Sequence, residues 1–561
     1  MIFNATSFPI FINNYYMKKT YLIKIYAFFC LTLLLNLVYT TTAFAQADYQ
    51  PYSYQFYQKL NPDLYSVSTR EHTTIKPFFF PDSVIKVRYD SIMGYQKKEK
   101  QHSWIYRKIF KEHLIEIKEK SATFYADILP NFSVGRDFSG KLNTNTTSLG
   151  LQFGGTVGNK FQYYVSGYKS TAVLPKYLST YVSQVAVIPG QAYGKPYRNN
   201  GYSWSFVTAS VSYTLNKYLN ISAGNDKTFI GDGYRSLLLS DYASPYPFLK
   251  LTGTLGNVRY MVMWTYMNDP AATSQYGNNR KKFGVFHYLD YNVNNKLSVG
   301  FFENIIGFYK DDNGVKRPFD FNYINPIIFL KPINNSSQNS DKSLIGFTGK
   351  YKINNGVTAY GQFALNEFIT KHFFSSDGSD VNKSGWQLGL RGTNLFKVAK
   401  LNFLIEANNV KPYTYSARSA IENYSQNGEP LAHPWGGNFR EVVGLLNYSF
   451  QRFDFSGEID LGRYGLNKKG LNYGKDIFKV YTTSVKPLGN YIGQGLTTNM
   501  KYLEGKVAFV VNPKYNLRLE LEGIYRTEKN DLFNDKTTMI TVGVRSSFWP
   551  TYKDLASYKA H

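Results

Sequence analysis

A transmembrane antiparallel β-barrel of the bacterial outer membrane, all-β with about 18 strands and a short N-terminal periplasmic helical region, is the fold class this sequence predicts. Three observations predict it. From Ala122 onward apolar residues recur with a period of two, and charged residues fill the alternate positions. Short turns and long connectors alternate along the whole of that stretch. The composition, 17% aromatic with 49 tyrosines and 42 phenylalanines, suits strands and aromatic girdles better than a helical core.

The chain opens with an export signal. Lys18 and Lys19 precede an apolar run from Ile25 to Val38, and Ala43-Phe44-Ala45 supplies the small residues of a cleavage site. Residues 1–45 therefore read as a signal peptide, with Met17 as the expected start and cleavage before Gln46. The rival reading, a retained anchor helix, falls short of the ~20 apolar residues that a span needs. The single cysteine, Cys30, lies in this segment, so the mature chain carries no disulfide, thiol nucleophile or thiolate metal site.

Residues 46–121 differ in character from the rest of the mature chain. Asn61-Pro62, Lys76-Pro77 and Phe80-Pro81 interrupt the first part. Ser103 to Lys120 then places Ile105, Ile109, Leu114 and Ile117 at helical spacing. One amphipathic helix is expected there, its apolar face docked at the periplasmic mouth of the barrel.

Residues 122–548 are the barrel. Phe453, Phe455, Ile459 and Leu461 alternate with Asp454, Ser456, Glu458 and Asp460. Leu517, Leu519 and Leu521 alternate with Arg518, Glu520 and Glu522, and Leu401, Phe403 and Ile405 with Asn402 and Glu406. A soluble sandwich alternates too, but recurrent charge on the polar face is what a wet lumen requires. Tight-turn chemistry recurs at Asn216-Lys217, Asn294-Asn295, Asn354-Asn355-Gly356 and Pro513-Lys514, among eight short turns. Nine longer connectors lie near 137–146, 171–201, 225–246, 269–281, 310–341, 370–384, 411–440, 464–495 and 528–536. Strict alternation places all long connectors on one side and both termini on the other, which for this class means periplasmic N- and C-termini. The last strand, Thr537 to Phe548, ends on an aromatic, and residues 549–561 trail beyond it as a tail.

The formal charge of +25 falls to +22 for the chain without its signal. For an exported protein this points to acidic polysaccharide or lipopolysaccharide phosphate, and not to nucleic acid. No catalytic constellation, metal set or cofactor motif stands out. The seven histidines, among them His372, His433 and His561, are scattered. The SxxK matches at Ser166 and Ser83 lie in settings that do not suit catalysis. Asp454, Glu458 and Asp460 with Glu520 and Glu522 could form a glycosidase pair, but ion pairing with Arg518 and Arg526 across a wet lumen is the simpler reading. The protein is expected not to be an enzyme.

The stretch around which the chain is organised is Gly224 to Leu251, GNDKTFIGDGYRSLLLSDYASPYPFLKL. Gly231, Gly233, Pro245 and Pro247 mark it as a shaped loop. Its GxG turn, Ser-Leu-x-Leu-Ser run and aromatic after proline resemble the signature of capsule assembly proteins of the Wzi type, closest to the gliding motility RemB-type branch of Bacteroidetes. Two further stretches carry the resemblance: Lys411 to Phe439, with KPYTYS and PLAHPWGGNF, and Tyr323 to Leu330, YINPIIFL. The resemblance implies an eighteen-stranded outer-membrane barrel with a helical periplasmic plug. It also implies a role in capsule assembly or gliding.

Sugar rings pack on flat aromatic faces, and their hydroxyls and acid groups take hydrogen bonds from Arg, Asn and backbone. The candidate polysaccharide ligands are accordingly Asp232, Tyr234, Arg235 and Tyr242 in one loop and Tyr413, Tyr415, His433, Trp435 and Asn438 in another. The simpler reading of each is that it holds its loop closed over the lumen. Expected partners are outer-membrane lipid, lipopolysaccharide and surface polysaccharide, with motility or adhesion machinery beyond them. An adhesion or gliding accessory that binds no glycan, and a porin-like channel, are the rival functions.

Overall fold

The computed structural model describes residues 48–80, 84–95, 102–198, 200–269, 280–310, 315–316, 321–328, 342–367, 377–549 and 551–558. Residues 1–45, expected to be a signal peptide, lie outside these residues. So do His372, His561, the end of YINPIIFL and much of the connectors expected at 269–281, 310–341 and 370–384.

Eighteen strands form the wall. β1 (Ala122–Asp137), β2 (Leu142–Val157), β3 (Phe161–Val173) and β4 (Gly201–Thr214) begin it. β5 (Leu219–Asp226), β6 (Tyr246–Leu255), β7 (Val258–Asp269), β8 (Arg280–Asn292) and β9 (Leu297–Phe308) come next. β10 (Lys342–Lys352), β11 (Val357–Glu367), β12 (Lys383–Gly392), β13 (Leu401–Val410) and β14 (Phe439–Phe450) continue it. β15 (Phe453–Leu466), β16 (Leu496–Asn512), β17 (Leu517–Lys529) and β18 (Asn534–Ser546) complete it. Each strand pairs antiparallel with its sequence neighbour, and β18 closes on β1 with Met539 opposite Asp137 and Arg545 opposite Asn131. Closure leaves the wall without a free edge.

The wall is inside out relative to a soluble protein. Phe453, Phe455, Ile459 and Leu461 are exposed on the outside, while Asp460 is buried in the lumen. Leu519 and Leu521 face out, and Arg518 and Glu522 face in. Tyr448, Phe450, Phe453, Phe455 and Phe509 stack along one rim of β14–β16 as a girdle. This is the surface of a barrel solvated by lipid.

The alternation of short and long connections holds from β2 to β17 and fails at both ends. The connectors expected to be long at 137–146 and 528–536 are four-residue turns, 138–141 and 530–533. Ladder pairing runs right up to Asp137–Leu142 and Lys529–Asn534, and the Asp137 and Asn530 side chains accept turn N–H groups at 2.8–2.9 Å. Asparagines make the turns of the opposite rim in the same way: Asn216, Asn294 and Asn354 each accept two backbone N–H groups.

The N-terminal region departs further from expectation. Only Trp104–Phe110 of the stretch 103–120 is helical, and none of that helix is buried. Ile115–Lys118 is a strand that pairs with Thr123–Ala126 of β1. Asp127 of β1 draws the chain there, accepting the Leu114 N–H at 2.8 Å and holding His113 Nδ1 at 2.7 Å. A period of two in Ile115-Glu116-Ile117-Lys118 lies hidden under the helical spacing. The helix that docks is Val84–Met93, whose Ile85, Tyr89 and Met93 pack with Phe56, Tyr57 and Leu60.

Residues 48–80 fill the lumen from the short-turn rim. Arg70 and Val67 bond Asn257, Asn295 and Asn355 of three short turns, and Arg391 of β12 donates to Asn61 at 2.6 Å and Tyr65 at 2.9 Å. The tail fills it as well. The chain leaves β18 at the short-turn rim and turns back inward. Trp549 lies beside Ser166 and Phe206, Lys553 pairs with Glu522, Leu555 O accepts from Arg526, and Ser557 meets Glu528 and Tyr464 near the long-loop rim. The last described residue, Tyr558, accepts the N–H of Ile477 in a long loop. The tail thus runs from one rim to the other inside the barrel, and does not trail away from the rim where β18 ends.

Candidate functional site

Two loops carry every candidate residue, and both fold into the barrel mouth. The loop 227–245 joins β5 to β6, and the loop 411–438 joins β13 to β14. The first descends until Phe229 and Ile230 pair with Lys76 and Ile75 of the N-terminal segment. It then climbs past Glu406 of β13, which accepts the N–H groups of Tyr234 at 3.0 Å and Arg235 at 3.2 Å. Gly233 is required there, since a Cβ would collide with Glu406 and Tyr360.

The second loop lies against the first. Tyr415 Oη donates to Leu237 O at 2.8 Å, Tyr424 Oη to Leu238 O, and Ser240 N–H to Leu431 O. Tyr413, Tyr415 and Asn438 all hold left-handed φ angles of 57–72°, which ordinary residues adopt only when their surroundings impose it. The imposing contacts are visible. Asn438 Nδ2 donates to the carbonyls of Gly465, Tyr473 and Gln494, and its Oδ1 accepts from Gly493. Tyr413 Oη donates to Asn472 O at 2.9 Å.

At the centre lies Arg235, 2% exposed. Its Nη2 approaches Asp554 at 2.8 Å, Glu441 at 2.9 Å and Asp460 at 3.4 Å, and its guanidinium stacks 4.7 Å from the Tyr234 ring. Tyr234 Oη donates to Asp554. His433 Nδ1 accepts the N–H of Trp435, so its proton sits on Nε2, which donates to Glu441 at 2.7 Å. Burial lowers the His433 pKa against the pull of Glu441, in keeping with that neutral ring. Trp435 is fully buried and donates from Nε1 to Asp554 O.

Tyr242 shares a hydrogen bond with Tyr181 at 2.7 Å and packs edge-on to Tyr552. Asp232 lies deeper, against the N-terminal segment. It accepts from Tyr65, Thr73 and Thr74. Burial works against its charge, but Lys350, Lys76 and those hydroxyls hold its carboxyl well below the usual carboxylate range. The structure thus brings Tyr234, Arg235, His433 and Trp435 into one cluster. Tyr413 and Asn438 sit at the 467–495 loop, Tyr415 at Leu237, Tyr242 between Tyr181 and Tyr552, and Asp232 apart. Except for the half-buried Tyr234, all nine are buried.

Several contributors were missed at the level of sequence. Glu429 accepts from Gly190 N–H at 2.7 Å and from Ser244 N–H and Oγ at 2.8 and 2.6 Å, clamping three loops together. Burial pushes its carboxyl up to about 7 despite those bonds. Arg518 and Arg526 pair with Glu520 and Glu528, while Asp460 turns to Arg235. The exposed face of the long loops carries Lys195, Tyr197, Arg198, Lys469, Lys486 and Tyr491. Arg198 and Lys486 lie 6.0 and 5.8 Å from the rings of Tyr197 and Tyr491. Their signal was present in Lys195-Pro-Tyr-Arg198 and Lys486-Pro-Leu-Gly-Asn-Tyr491, where cations and an aromatic share a short proline-containing stretch.

No protein-family profile matches the chain, and no curated protein matches it. Among solved structures it is similar to Wzi, described as an outer membrane protein involved in group 1 capsule assembly in Escherichia coli and a carbohydrate-binding β-barrel. That match has a TM-score of 0.53 at 14% identity and covers 90% of this chain and 100% of Wzi. Pseudomonas aeruginosa OprD gives a TM-score of 0.41 at 10% identity, covering 75% of this chain and 94% of OprD. Acinetobacter baumannii OccAB2 gives 0.43 at 9%, covering 75% and 97%. The likeness to Wzi shows that the chain has the fold of a Wzi-like eighteen-stranded barrel.

Proposed function

We propose that this protein is a non-enzymatic outer-membrane barrel that binds or organises an acidic surface polysaccharide on the outward face of its long loops. One observation carries the reading: the described parts of the long loops pair with one another into a cap whose exposed face keeps cation–aromatic pairs, Arg198 with Tyr197 and Lys486 with Tyr491. Such pairs offer a flat face for a sugar ring and a charge for its acid group. The carbohydrate binding described for Wzi supports the same reading. In this orientation the short-turn rim is periplasmic and the long loops are extracellular.

Asp232, Tyr234, Arg235, Tyr242, Tyr413, Tyr415, His433, Trp435 and Asn438 enter the proposal as the residues that hold the cap in shape. Direct contact between them and a glycan requires the loops to open. Capsule assembly is the setting Wzi suggests, and adhesion or gliding would use the same surface. A pore is disfavoured, because residues 48–80, the two loops and the tail all occupy the lumen.

The test is binding of purified, detergent-solubilised protein to the surface polysaccharide of the producing organism. Saturable binding that weakens in salt and in Lys486→Ala/Tyr491→Ala is expected. A wild type that keeps heat-modifiable gel mobility but binds nothing would reject the reading. Steady conductance in single-channel recordings would favour the pore.

A further inference from the structure

The lumen wall between β15 and β17 is a ladder of matched charges, with one break. Glu520 meets Arg518 at 2.7 Å, Glu504 meets Lys506 at 2.8 Å, Glu528 meets Arg526 at 2.9 Å, and Glu522 meets Lys553. Asp454 meets Lys59 at 2.5 Å. At the break, Glu441, Glu458, Asp460 and Asp554 face a single guanidinium, that of Arg235. Among the described residues Glu458 has no ion pair.

Unused ligand atoms sit at the same place. Asp460 is fully buried, gives Oδ2 to Arg235, and leaves Oδ1 without a hydrogen-bond partner. Glu458 Oε1 is buried and also without a partner. Arg235 and Tyr234 both use Oδ2 of Asp554. One oxygen each from Glu458, Asp460 and Asp554 lie within 4.8 Å of one another. Glu458 and Asp554 also line a cavity of about 100 Å³, whose cations Lys506, Arg518, Arg545 and Lys553 are taken up by Glu504, Glu520 and Glu522 and not by Glu458. A buried carboxylate oxygen without a donor is costly, and two of them beside a third carboxylate at the edge of a cavity call for a cation.

We propose that Glu458, Asp460 and Asp554 form a binding site for one divalent cation of the calcium class, which ties the C-terminal tail to β15. Hard carboxylate oxygens select calcium or magnesium over softer metals. Oxygens up to 4.8 Å apart fit a calcium ion with its 2.3–2.6 Å bonds better than the tighter octahedron of magnesium. Water would complete the coordination, and Arg235 keeps its bonds to Oδ2 of Asp460 and of Asp554. With the cation bound, the four carboxylates and Arg235 carry a net charge of −1 in place of −3. Asp554 is the tail's contribution, so the cation is a latch on the segment that threads the barrel.

The experiment uses the full chain in detergent, stripped with EDTA and titrated with calcium chloride by calorimetry. Exchange of the tail's amide hydrogens, residues 551–558, is measured in parallel. Glu458→Gln is the informative variant, because it leaves every contact of Arg235 in place. Asp454→Asn, on the same strand but paired with Lys59, is the control. One saturable site is expected, weakened about 10-fold or more in Glu458→Gln and unchanged in Asp454→Asn. Calcium is expected to slow tail exchange in the wild type and not in Glu458→Gln. A wild type with intact heat-modifiable mobility that binds no calcium would overturn the proposal, as would binding that Glu458→Gln leaves unaltered. The carboxyls would then be neutralised by protons shared between them.

Discussion

Tyr65 Oη donates to Asp232 Oδ1 at 2.8 Å inside the lumen, and that bond fastens the N-terminal segment to a loop descending from the opposite rim. Thr73 and Thr74 bond the same carboxylate, and Lys350 lies 3.8 Å away. Asp232→Ala takes the nearest carboxylate away from the buried Lys350 and Lys76. A loss of about 3 kcal/mol in plug stability is expected, read as faster proteolysis of residues 48–95 with the strands intact. Tyr65→Phe removes one hydrogen bond and should cost about 1 kcal/mol in the same assay.

Trp435 fills the space over Gly462, where no Cβ would fit, and bonds the tail at Asp554 O. Trp435→Ala should destabilise the cap by about 3–5 kcal/mol and raise hydrogen exchange in residues 411–438 and 551–558 together. Trp435→Phe keeps most of the packing and should raise it mainly in the tail. Unchanged tail exchange in Trp435→Ala would show that loop and tail are independent.

Glu429 sets a pH dependence. Its carboxyl is raised by burial to about 7, so the clamped loops bind its proton more tightly than the open loops do. The stability it contributes is complete below its ordinary pKa of about 4.5 and is lost as pH rises through 7. Amide exchange at Gly190 and Ser244, corrected for intrinsic rate, should therefore quicken between pH 5 and 8, a window of about that span. Glu429→Gln resembles the protonated acid and should flatten the profile.

The Lys486 and Tyr491 side chains are exposed and, among the described residues, bond no other part of the cap. Their backbone bonds to Asn490 and Gln494 survive substitution by alanine. The double alanine variant should stay within about 0.5 kcal/mol of wild-type stability. Its affinity for acidic polysaccharide should fall about 10-fold at low salt, with the gap narrowing as salt screens the charge. An equal affinity at low salt would place the glycan surface elsewhere on the loops.

The eighteen-strand wall, its alternation and the polarity of its two faces were legible in the sequence. The Asn turns and the two organising loops were legible too. The first and last connectors were drawn too long, because Asn143–Thr146 and Asn534–Lys536 are polar residues that read as loop yet pair as strand. The helix at 103–120 failed because four apolar residues satisfied the helical spacing while Asp127, from β1, pulled the second half into a strand. The tail gave a signal in Trp549, Tyr552 and Tyr558, aromatic residues with no reason to trail in water.

The sequence alone determined the wall, since a strand between lipid and a wet lumen must alternate residue by residue, and that period is local. It also determined which loops are built, through their glycines, prolines and aromatics. Only the tertiary structure decided what those loops do with their side chains. Arg235 meets Asp554 from the far end of the chain, and Asp232 meets Tyr65 from the near end. Whether an aromatic or a charge in a loop faces solvent or core depends on such distant partners. No local period records them, because burial there is set by the closure of the barrel around residues 48–80 and 551–558.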